Sequence, residues 1–556
     1  MTIREDIELL VRKALADAQK SELLPKVDVE EITIERPQKP EHGDFASSLP
    51  LKLARPMRMN PMMIAEKLES LIPTQGILDH VSVAAPGFIN FSLKQSWLAE
   101  QVEAIRLAGD TYGNVDIGHG QRVQIEFVSA NPVGPLHVAH ARGGVIGSAL
   151  ANIMEAAGYN VDREYYFNDA GAQIIHFKRT LFARYEQQFG RDAQVPEDGY
   201  KAEYMVDLAE EIKDEEGDRL LNLPLEQALD EIGALGLSKM MARIREDVKL
   251  LRINFDIWFN EATLFTDGQF EKSIQLLRDR GYVTENDGAT WFASTRLGDE
   301  RDKVLVRSNG IPTYFASDVA YHYNKFVERK YDKVINIWGA DHQGHAGFIK
   351  AVIGALGLQE EKMTLVINQM VTLKRGGEVV RISKRTGDMI TLRDVIDEVG
   401  PDACRYFFLS RDANSQMDFD MALAKEQSQE NPVYYVQYAH ARIASILRLA
   451  EERGIDFSDG DVSLLTHDSE LSLIRKMLEL PELIELITRT MEPHHLPHYS
   501  SELATTFHSF YQDCRVVSTE AGEEAVTKAR LKLVDAARTA LARCLSLMIM
   551  DAPLQM

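Results

Sequence analysis

The spacing of apolar positions changes character along the chain and divides it into three stretches. The first, to about Tyr112, opens on an amphipathic helix pattern, MTIREDIELLVRKALADAQKSELL. A Pro-rich stretch, ERPQKPEHGDFA, then a second helical pattern follow, and VSVAAPGFINFSL reads as two short strands around Pro86-Gly87. This predicts a small α+β unit, with the Gly/Asn cluster TYGNVDIGHGQ as its linker to the next. In the second stretch RVQIEFVSA is a β-branched strand pattern, NPVGP a loop, HVAHARGGVIGSALANIMEAAG a helix stopped by Gly158, and NVDREYYFND another strand. Strand, loop, helix and strand at this spacing form a βαβ unit, which predicts a parallel sheet with ligands at the carboxyl ends of its strands. Residues from about 175 to 250 are helical and charge-rich, as an insertion would be. The βα pattern resumes with TYFASDVAYHYNKF, KVINIWGADHQGH and LVINQMVTL. From about Ser410 the strand patterns stop, and long amphipathic helices such as AVTKARLKLVDAARTALARCLSLMIM predict a terminal bundle.

Length agrees with this division: 556 residues at about 150 per domain suggest three or four domains. With 45% hydrophobic and 26% charged residues the composition is that of a globular protein, not a disordered one. Cys404, Cys514 and Cys544 lie far apart with no C-x2-C pair, which argues against a disulfide framework or thiolate zinc site and suits a reducing compartment. The N-terminal helix carries Arg4, Glu5, Asp6 and Glu8 and so is no secretory signal; no run of about 18 apolar residues exists to span a membrane. A cytoplasmic protein is expected. Its net charge of −23 argues against indiscriminate nucleic-acid binding but leaves room for a local basic groove.

Four constellations carry candidate chemistry. His137-Val138-Ala139-His140 stands where a strand hands over to a helix, and a helix N-terminus with two imidazoles suits a triphosphate; a chance H-x-x-H pair is the alternative. Arg381-Ile382-Ser383-Lys384-Arg385-Thr386-Gly387 has glycines on both sides. Its Lys/Arg pair could meet charge growing on a leaving pyrophosphate, or be a solvated basic turn. Tyr314 and Asp318, four apart, share a face if their segment is helical, unless Ser317 or Asp318 merely caps that helix; Glu126 and Asn131 flank the H-x-x-H. Gly339-Ala340-Asp341-His342-Gln343-Gly344-His345 follows an apolar strand, and Asp341, His342 and His345 offer metal-ligand chemistry.

Taken together and in this order, these motifs resemble one family. FVSANPVGPLHVAHARGG resembles the His-Ile-Gly-His signature region of class I aminoacyl-tRNA synthetases, and RISKRTGD resembles their Lys-Met-Ser-Lys loop. More narrowly, EHGDFASSLPLKLA, GFINF, EYYFNDAG, YFASDVAYH, INIWGADHQGH, GPDACRYFFLSRDANSQMDFD, ENPVYYVQYAHARI and DAPLQM make the whole chain similar to the bacterial arginyl-tRNA synthetases. The resemblance implies a multidomain α/β architecture. Its parts are a small N-terminal α+β domain over 1–112 that binds the tRNA elbow, a Rossmann-like parallel-sheet catalytic domain over 113–409 with the helical insertion, and an all-α anticodon-binding domain over 410–556. It implies ATP-dependent ligation of arginine to its tRNA, with Mg2+ as companion of ATP, no structural metal and a monomeric state.

The resemblance also distributes roles. His137, Ala139, His140, Gly339, Asp341, Ser383, Lys384 and Arg385 would serve ATP, with His137, His140 and Lys384 catalytic. Glu126, Ser129, Asn131, Tyr314, Asp318 and Gln343 would hold arginine. Phe88 and Asn90 would meet a base of the tRNA elbow, and Tyr499, Phe507, Phe510, Tyr511, Arg515 and Met556 are candidates near the anticodon loop; helical spacing also allows several of these to be core. Two departures stand out. Ala139 replaces the usual Gly near the adenine, and Arg381 replaces the first Lys of the second motif. Competing readings are a small nucleotidyltransferase, which does not need about 150 residues of terminal helices, a tRNA-binding paralogue without catalysis, and a metal hydrolase on Asp341, His342 and His345.

Overall fold

The computed structural model of the chain describes residues 2–37, 39–74, 76–380 and 390–556. Its first helix, Ile3–Lys20, starts where the sequence supplies a reciprocal cap: the Thr2 hydroxyl accepts from the Glu5 N–H and the Glu5 carboxylate accepts from the Thr2 N–H. Four strands, β1 (Ile34–Glu35), β2 (Phe45–Ser47), β3 (Leu78–Ala84) and β4 (Phe88–Leu93), form an antiparallel sheet in the order β1-β2-β4-β3. The expected hairpin around Pro86-Gly87 is β3–β4. β1 and β2 are two and three residues long, too short for the apolar alternation to mark them.

The central sheet is parallel throughout. Its strands β5 (Arg122–Glu126), β6 (Asn160–Phe167) and β7 (Ile257–Asn260) run outward to one side. A small antiparallel sheet of β8 (Val283–Asn286), β9 (Ala289–Phe292) and β10 (Lys303–Val306) intervenes in the chain before β11 (Lys333–Gly339) and β12 (Met363–Asn368) complete the sheet on the other side. The order β12-β11-β5-β6-β7 reverses direction at β5, and the crevice at such a point is where doubly wound sheets bind ligands. The helix Val138–Ala156 crosses from β5 to β6 as the sequence predicts. Its glycines let it lie close on the sheet: a Cβ at Gly147 would stand 2.3 Å from the Phe127 ring, and one at Gly144 3.0 Å from Val128 Cγ2.

The predicted helical insertion is three helices, Ala172–Gln187, Tyr204–Glu216 and Leu225–Leu250, around their own core of Phe177, Leu181, Tyr185, Met205, Leu208 and Ile232. The expectation that strands stop near Ser410 needs correcting. β13 (Val371–Arg375) pairs with β14 (Glu378–Val379) on one side and, in parallel, with β15 (Met417–Asp420) on the other. β15 is a four-residue Met-Asp-Phe-Asp segment whose strand identity comes from its distant partner, not from its own alternation.

Beyond it come the helices Pro432–Glu452, Asp468–Met477, Leu480–Thr490, His495–Asp513 and Glu524–Leu547, packed as a bundle. The N-terminal unit docks on this bundle through Glu482, which accepts from both Arg4 and Arg36, through Asp44 with Arg475, and through Asp535 with Arg106 (2.8 Å). The Tyr112 hydroxyl donates to the Met477 carbonyl at 2.7 Å, fixing the linker to the bundle as well. Among the described residues no helix is long and apolar enough to cross a membrane, and all three cysteines are buried and free.

Arg405 joins the Val138–Ala156 helix, the insertion and the bundle at one point. Fully buried, its guanidinium donates to the carbonyls of Leu251 and Met548 and to the Ser148 hydroxyl. Replacing it by Met strands two carbonyls away from water, at about 1–3 kcal/mol for each, while the Ser148 hydroxyl keeps its bond to the Val145 carbonyl (3.2 Å). Arg405→Met is therefore expected to lower the thermal unfolding transition by several degrees, read by circular dichroism; an unchanged transition would show that the three contacts carry no net stability.

Candidate active site

At the carboxyl end of β5 the backbone turns sharply. Val128 and Ser129 both adopt positive φ, +69° and +44°, a costly conformation for side chains with a Cβ and one that recurs where a site over-determines the backbone. The turn aims Ser129 back at the strand end: its hydroxyl donates to Glu126 Oε1 (3.1 Å) and accepts from the Tyr166 N–H (3.2 Å). Asn131 is pinned on both sides, accepting from the Asn168 N–H (3.1 Å) and donating to Gln173 (2.9 Å).

His137 is the N-cap of the Val138–Ala156 helix, and its ring stacks on that of His140 with centroids 3.8 Å apart. The His137 N–H donates to His140 Nδ1 (3.4 Å), which assigns the His140 proton to Nε2 and makes that atom a donor. Burial, with His137 beside it, pushes His140 down to about 3; burial also lowers His137, while Asp341 across the cleft acts in the opposite sense. Both imidazoles are thus neutral donors near neutral pH at the positive end of a helix. The Ala139 carbonyl accepts from Asn368 Nδ2 (3.2 Å) at the end of β12, and Asn368 Oδ1, buried, has no partner among the described residues.

The motif expected from Arg381 to Gly387, with Ser383, Lys384 and Arg385, lies outside the described residues. The chain after it docks directly on the H-x-x-H entry: Thr391 bridges to His137, and the Leu392 N–H donates to the Leu136 carbonyl (2.8 Å). Thr391 also caps the helix Leu392–Val399 in a reciprocal pair with Asp394.

Tyr314 and Asp318 lie on one helix, Tyr314–Tyr323, as the spacing required. Thr313 is its N-cap position, so Asp318 is free of capping duty. Both residues converge on His345: Asp318 Oδ2 stands 2.7 Å from His345 Nε2, and the Tyr314 ring, 66% exposed, is 5.8 Å from the His345 ring. That contact redirects His345 away from the metal reading, and among the described residues no three His, Cys, Asp or Glu side chains converge as a metal site. Gly339 and Asp341 stand at the end of β11, where a Cβ at Gly339 would meet Asp341 Oδ1 at 2.5 Å; Asp341 and Gln343 are exposed on the cleft rim.

Three residues of this region have no role assigned from sequence: Glu261, Tyr166 and Lys325. Glu261, just past β7, accepts from the Tyr166 hydroxyl (2.6 Å) and the Ser317 hydroxyl (2.5 Å) and has no cationic partner among the described residues. Tyr166 is pushed up by burial and then by Glu261, Asp318 and Glu126: Glu261 meets its hydroxyl, Glu126 reaches its N–H through Ser129, and Asp318 follows the Ser317 that also binds Glu261. Lys325, wholly buried, pairs with Glu126. The available signal was positional: Glu261 follows the carboxyl end of a parallel strand. A cleft of about 870 Å³ opens beside the pocket, between the insertion helices and the ends of β6 and β7, lined by Pro132, Phe167, Asp169, Lys178, Arg245 and Asn260.

The sequence candidates outside this cleft divide sharply. Phe88 is half-buried at the β3–β4 turn and Asn90 is mostly buried within β4. Tyr499, 4% exposed, spends its hydroxyl on the carbonyls of Lys476 and Met477, while Phe507 and Phe510 are core. Neither Tyr499 nor Phe507 has a ring face open to a partner, because helical spacing turned both into the bundle. Tyr511 is half-buried, Arg515 pairs with Glu520 (3.1 Å) on the surface, and Met556 is exposed at the chain end. Tyr511 belongs to a surface platform whose other members lie in the ENPVYYVQYAHARI stretch, to which no anticodon role is assigned from sequence. Arg442 lies 4.8 Å over its ring and 5.5 Å over that of Tyr438, Tyr434 stacks parallel to Tyr438, and His508 packs against Tyr435 and Tyr438.

With this geometry in place, comparison with known proteins is informative. Residues 5–93 match the arginyl tRNA synthetase N-terminal domain, 101–428 the catalytic domain of class I (R) tRNA synthetases, and 436–556 the DALR anticodon binding domain. An arginine–tRNA ligase of Dehalococcoides mccartyi is 56% identical over 97% of this chain and 97% of its own. One from Caldanaerobacter subterraneus is 46% identical over 100% and 99%. The arginyl-tRNA synthetase structure of Thermus thermophilus, 22% identical, covers all of both chains with a TM-score of 0.77 and shares the fold. Cleft, helix N-terminus and three consecutive domain matches therefore agree, and the chain belongs to the arginyl-tRNA synthetase family of class I.

Proposed function

We propose that this protein activates L-arginine with ATP to arginyl-adenylate and transfers the arginyl group to the terminal adenosine of arginine tRNA. The observation that carries this reading is the gathering of three carboxylates around Tyr166, Glu261 directly, Glu126 through Ser129 and Asp318 beside Ser317, with the His137–His140 helix start following the same strand β5. An anionic pocket for a planar cation thus adjoins a donor site for polyphosphate. The arginine carboxylate attacks the α-phosphorus, a P–O bond forms, and the bridging P–O bond breaks to release pyrophosphate. The nucleophile is already ionised, so positioning and charge stabilisation carry the step. His140 Nε2–H and His137 would donate to ATP phosphates, Ala139, Gly339 and Asp341 would line the nucleotide, and Ser383, Lys384 and Arg385 would meet the departing pyrophosphate. Mg2+ would enter as the companion of ATP. The 2′-hydroxyl of the tRNA then attacks the adenylate carbonyl, releasing AMP.

Specificity follows from guanidinium geometry. Asp318 and Glu261 offer carboxylates from different elements, and Tyr314 closes over the planar group. Because Glu261, among the described residues, accepts only from hydroxyls, its charge is available to a substrate cation. Glu126, Ser129 and Asn131 would hold the α-amino and carboxylate ends, with Gln343 at the rim. The cleft beside the pocket gives the tRNA acceptor end room to enter. The Tyr434–Tyr438–Arg442–Tyr511 platform suits stacked bases of the anticodon loop, with Arg515 and Met556 nearby on the same domain. Phe88 and Asn90 are the elbow contacts of this reading. The protein works as a cytoplasmic monomer.

Arginine-dependent ATP–pyrophosphate exchange, measured with and without arginine tRNA, tests the reaction: exchange is expected only with arginine and tRNA together, and none under any condition would overturn it. Asp318→Ala should lower kcat/KM for arginine by about 10³-fold or more while tRNA binding holds, and normal arginylation would remove Asp318 from the pocket. Tyr438→Ala should raise KM for tRNA roughly 5- to 150-fold, the worth of one stacked base, with KM for arginine unmoved at saturating tRNA. An unchanged tRNA KM would place the anticodon loop elsewhere.

A further inference from the structure

The helix that presents Tyr314 and Asp318 to the cleft continues through a π turn, Asn324–Glu328, in which the Arg329 N–H reaches back to the Asn324 carbonyl (2.9 Å). π turns inside helices recur at functional sites. Tyr314, Asp318, Tyr321 and Lys325 are spaced i, i+4, i+7 and i+11, one stripe of a single helical face. The stripe begins at the rim and ends under the sheet. There Lys325, with no solvent exposure, donates to Glu126 Oε2 (2.6 Å) and Asn336 Oδ1 (2.9 Å), and its ammonium lies 4.0 Å over the Tyr321 ring. Glu126 spends one oxygen on Lys325, and its other oxygen faces the Ser129 hydroxyl at the cleft rim.

The charges nearest this pair, Glu164 and Arg329, are matched to each other, and His322 on the same helix is kept neutral by burial and then by Lys325. From β6 come Glu164 and Tyr166; Glu164 is fully buried and held by a bidentate contact with Arg329 and by the Tyr321 hydroxyl. From β11 comes the neutral Asn336, and from the loop after β5 the neutral Ser129. Arg329 is thus matched to Glu164, and Lys325 is the cation matched to Glu126. A carboxylate this deep stays ionised only when a cation accompanies it; left alone it takes up a proton. A protonated Glu126 would turn a donor toward the substrate's α-ammonium in place of a negative acceptor.

We propose that Lys325 is a positioning residue for arginylation: it keeps Glu126 ionised and oriented so that the carboxylate receives the α-amino group of arginine. The inference rests on the reading of Glu126 as a substrate contact, and the experiment separates the two. Steady-state KM for arginine is measured in arginylation at saturating ATP and tRNA between about pH 6 and pH 8.5 for wild type, Lys325→Met, Glu126→Gln and the double variant. Lys325→Met should raise KM relative to wild type most at low pH. The excess should shrink as the pH rises, with kcat moving far less. Glu126→Gln should raise KM without that slope, and the double variant should match Glu126→Gln within about twofold. Because the double variant removes both buried charges, it answers the question even where Lys325→Met fails to fold. An arginine KM unchanged in Glu126→Gln overturns the reading of Glu126. A raised KM in Glu126→Gln, with no pH slope in Lys325→Met or a further loss in the double variant, overturns the role of Lys325 alone.

Discussion

The structure depends on a polar layer buried under the central sheet. β5 aligns Glu126 with Glu164 on β6 and with Asn336 on β11, and the Tyr321–Arg329 segment closes over them with a tyrosine, a lysine and an arginine. Charges taken out of water cost several kcal/mol each unless paired and hydrogen-bonded, so this layer fixes which strands can be neighbours and how the covering helix lies. The same helix carries Tyr314 and Asp318. Satisfying the charges below the sheet and presenting the pocket above it are therefore one constraint.

Long-range arginine contacts extend that constraint to the rest of the chain. Arg142, buried two residues after His140, donates to the carbonyls of Gln369, Asp412 and Ser415, tying the H-x-x-H helix to the β12–β13 junction and the turn before β15. Arg405 ties the same helix to the last turn of the bundle. Arg252 bridges Asp402 and Asp551 (2.8 and 2.6 Å), so the chain end is fastened to the catalytic unit rather than to the bundle alone. A planar guanidinium with five donors can hold several carbonyls at once, which a lysine cannot do with the same geometry.

Legibility in the sequence followed how local the cause was. The β5–helix–β6 unit, the three-helix insertion, the hairpin around Pro86-Gly87 and the helix bearing Tyr314 and Asp318 all announce themselves by periodicity and breakers within a dozen residues. β15 does not, because Met-Asp-Phe-Asp becomes a strand only beside β13. Glu126 and Glu164 lie on strands interior to the sheet and both are buried, which their residue type alone does not foretell. Tyr499 and Phe507 were candidates for RNA because aromatic type is visible in sequence, whereas the helix face they occupy depends on which neighbours pack there.

The sequence by itself determined the family, the order of its parts and the identity of the chemistry-bearing groups, since motifs such as HVAH and YFASD are local patterns of residue type. Only the tertiary structure decided how those groups are used. It gave His345 to Asp318, Lys325 to Glu126 and Glu261 to Tyr166 and Ser317, and it gathered Tyr434, Tyr438 and Tyr511 into one half-buried platform. Each of these pairs residues from different elements of the chain, and a contact between distant elements has no signature in either one alone.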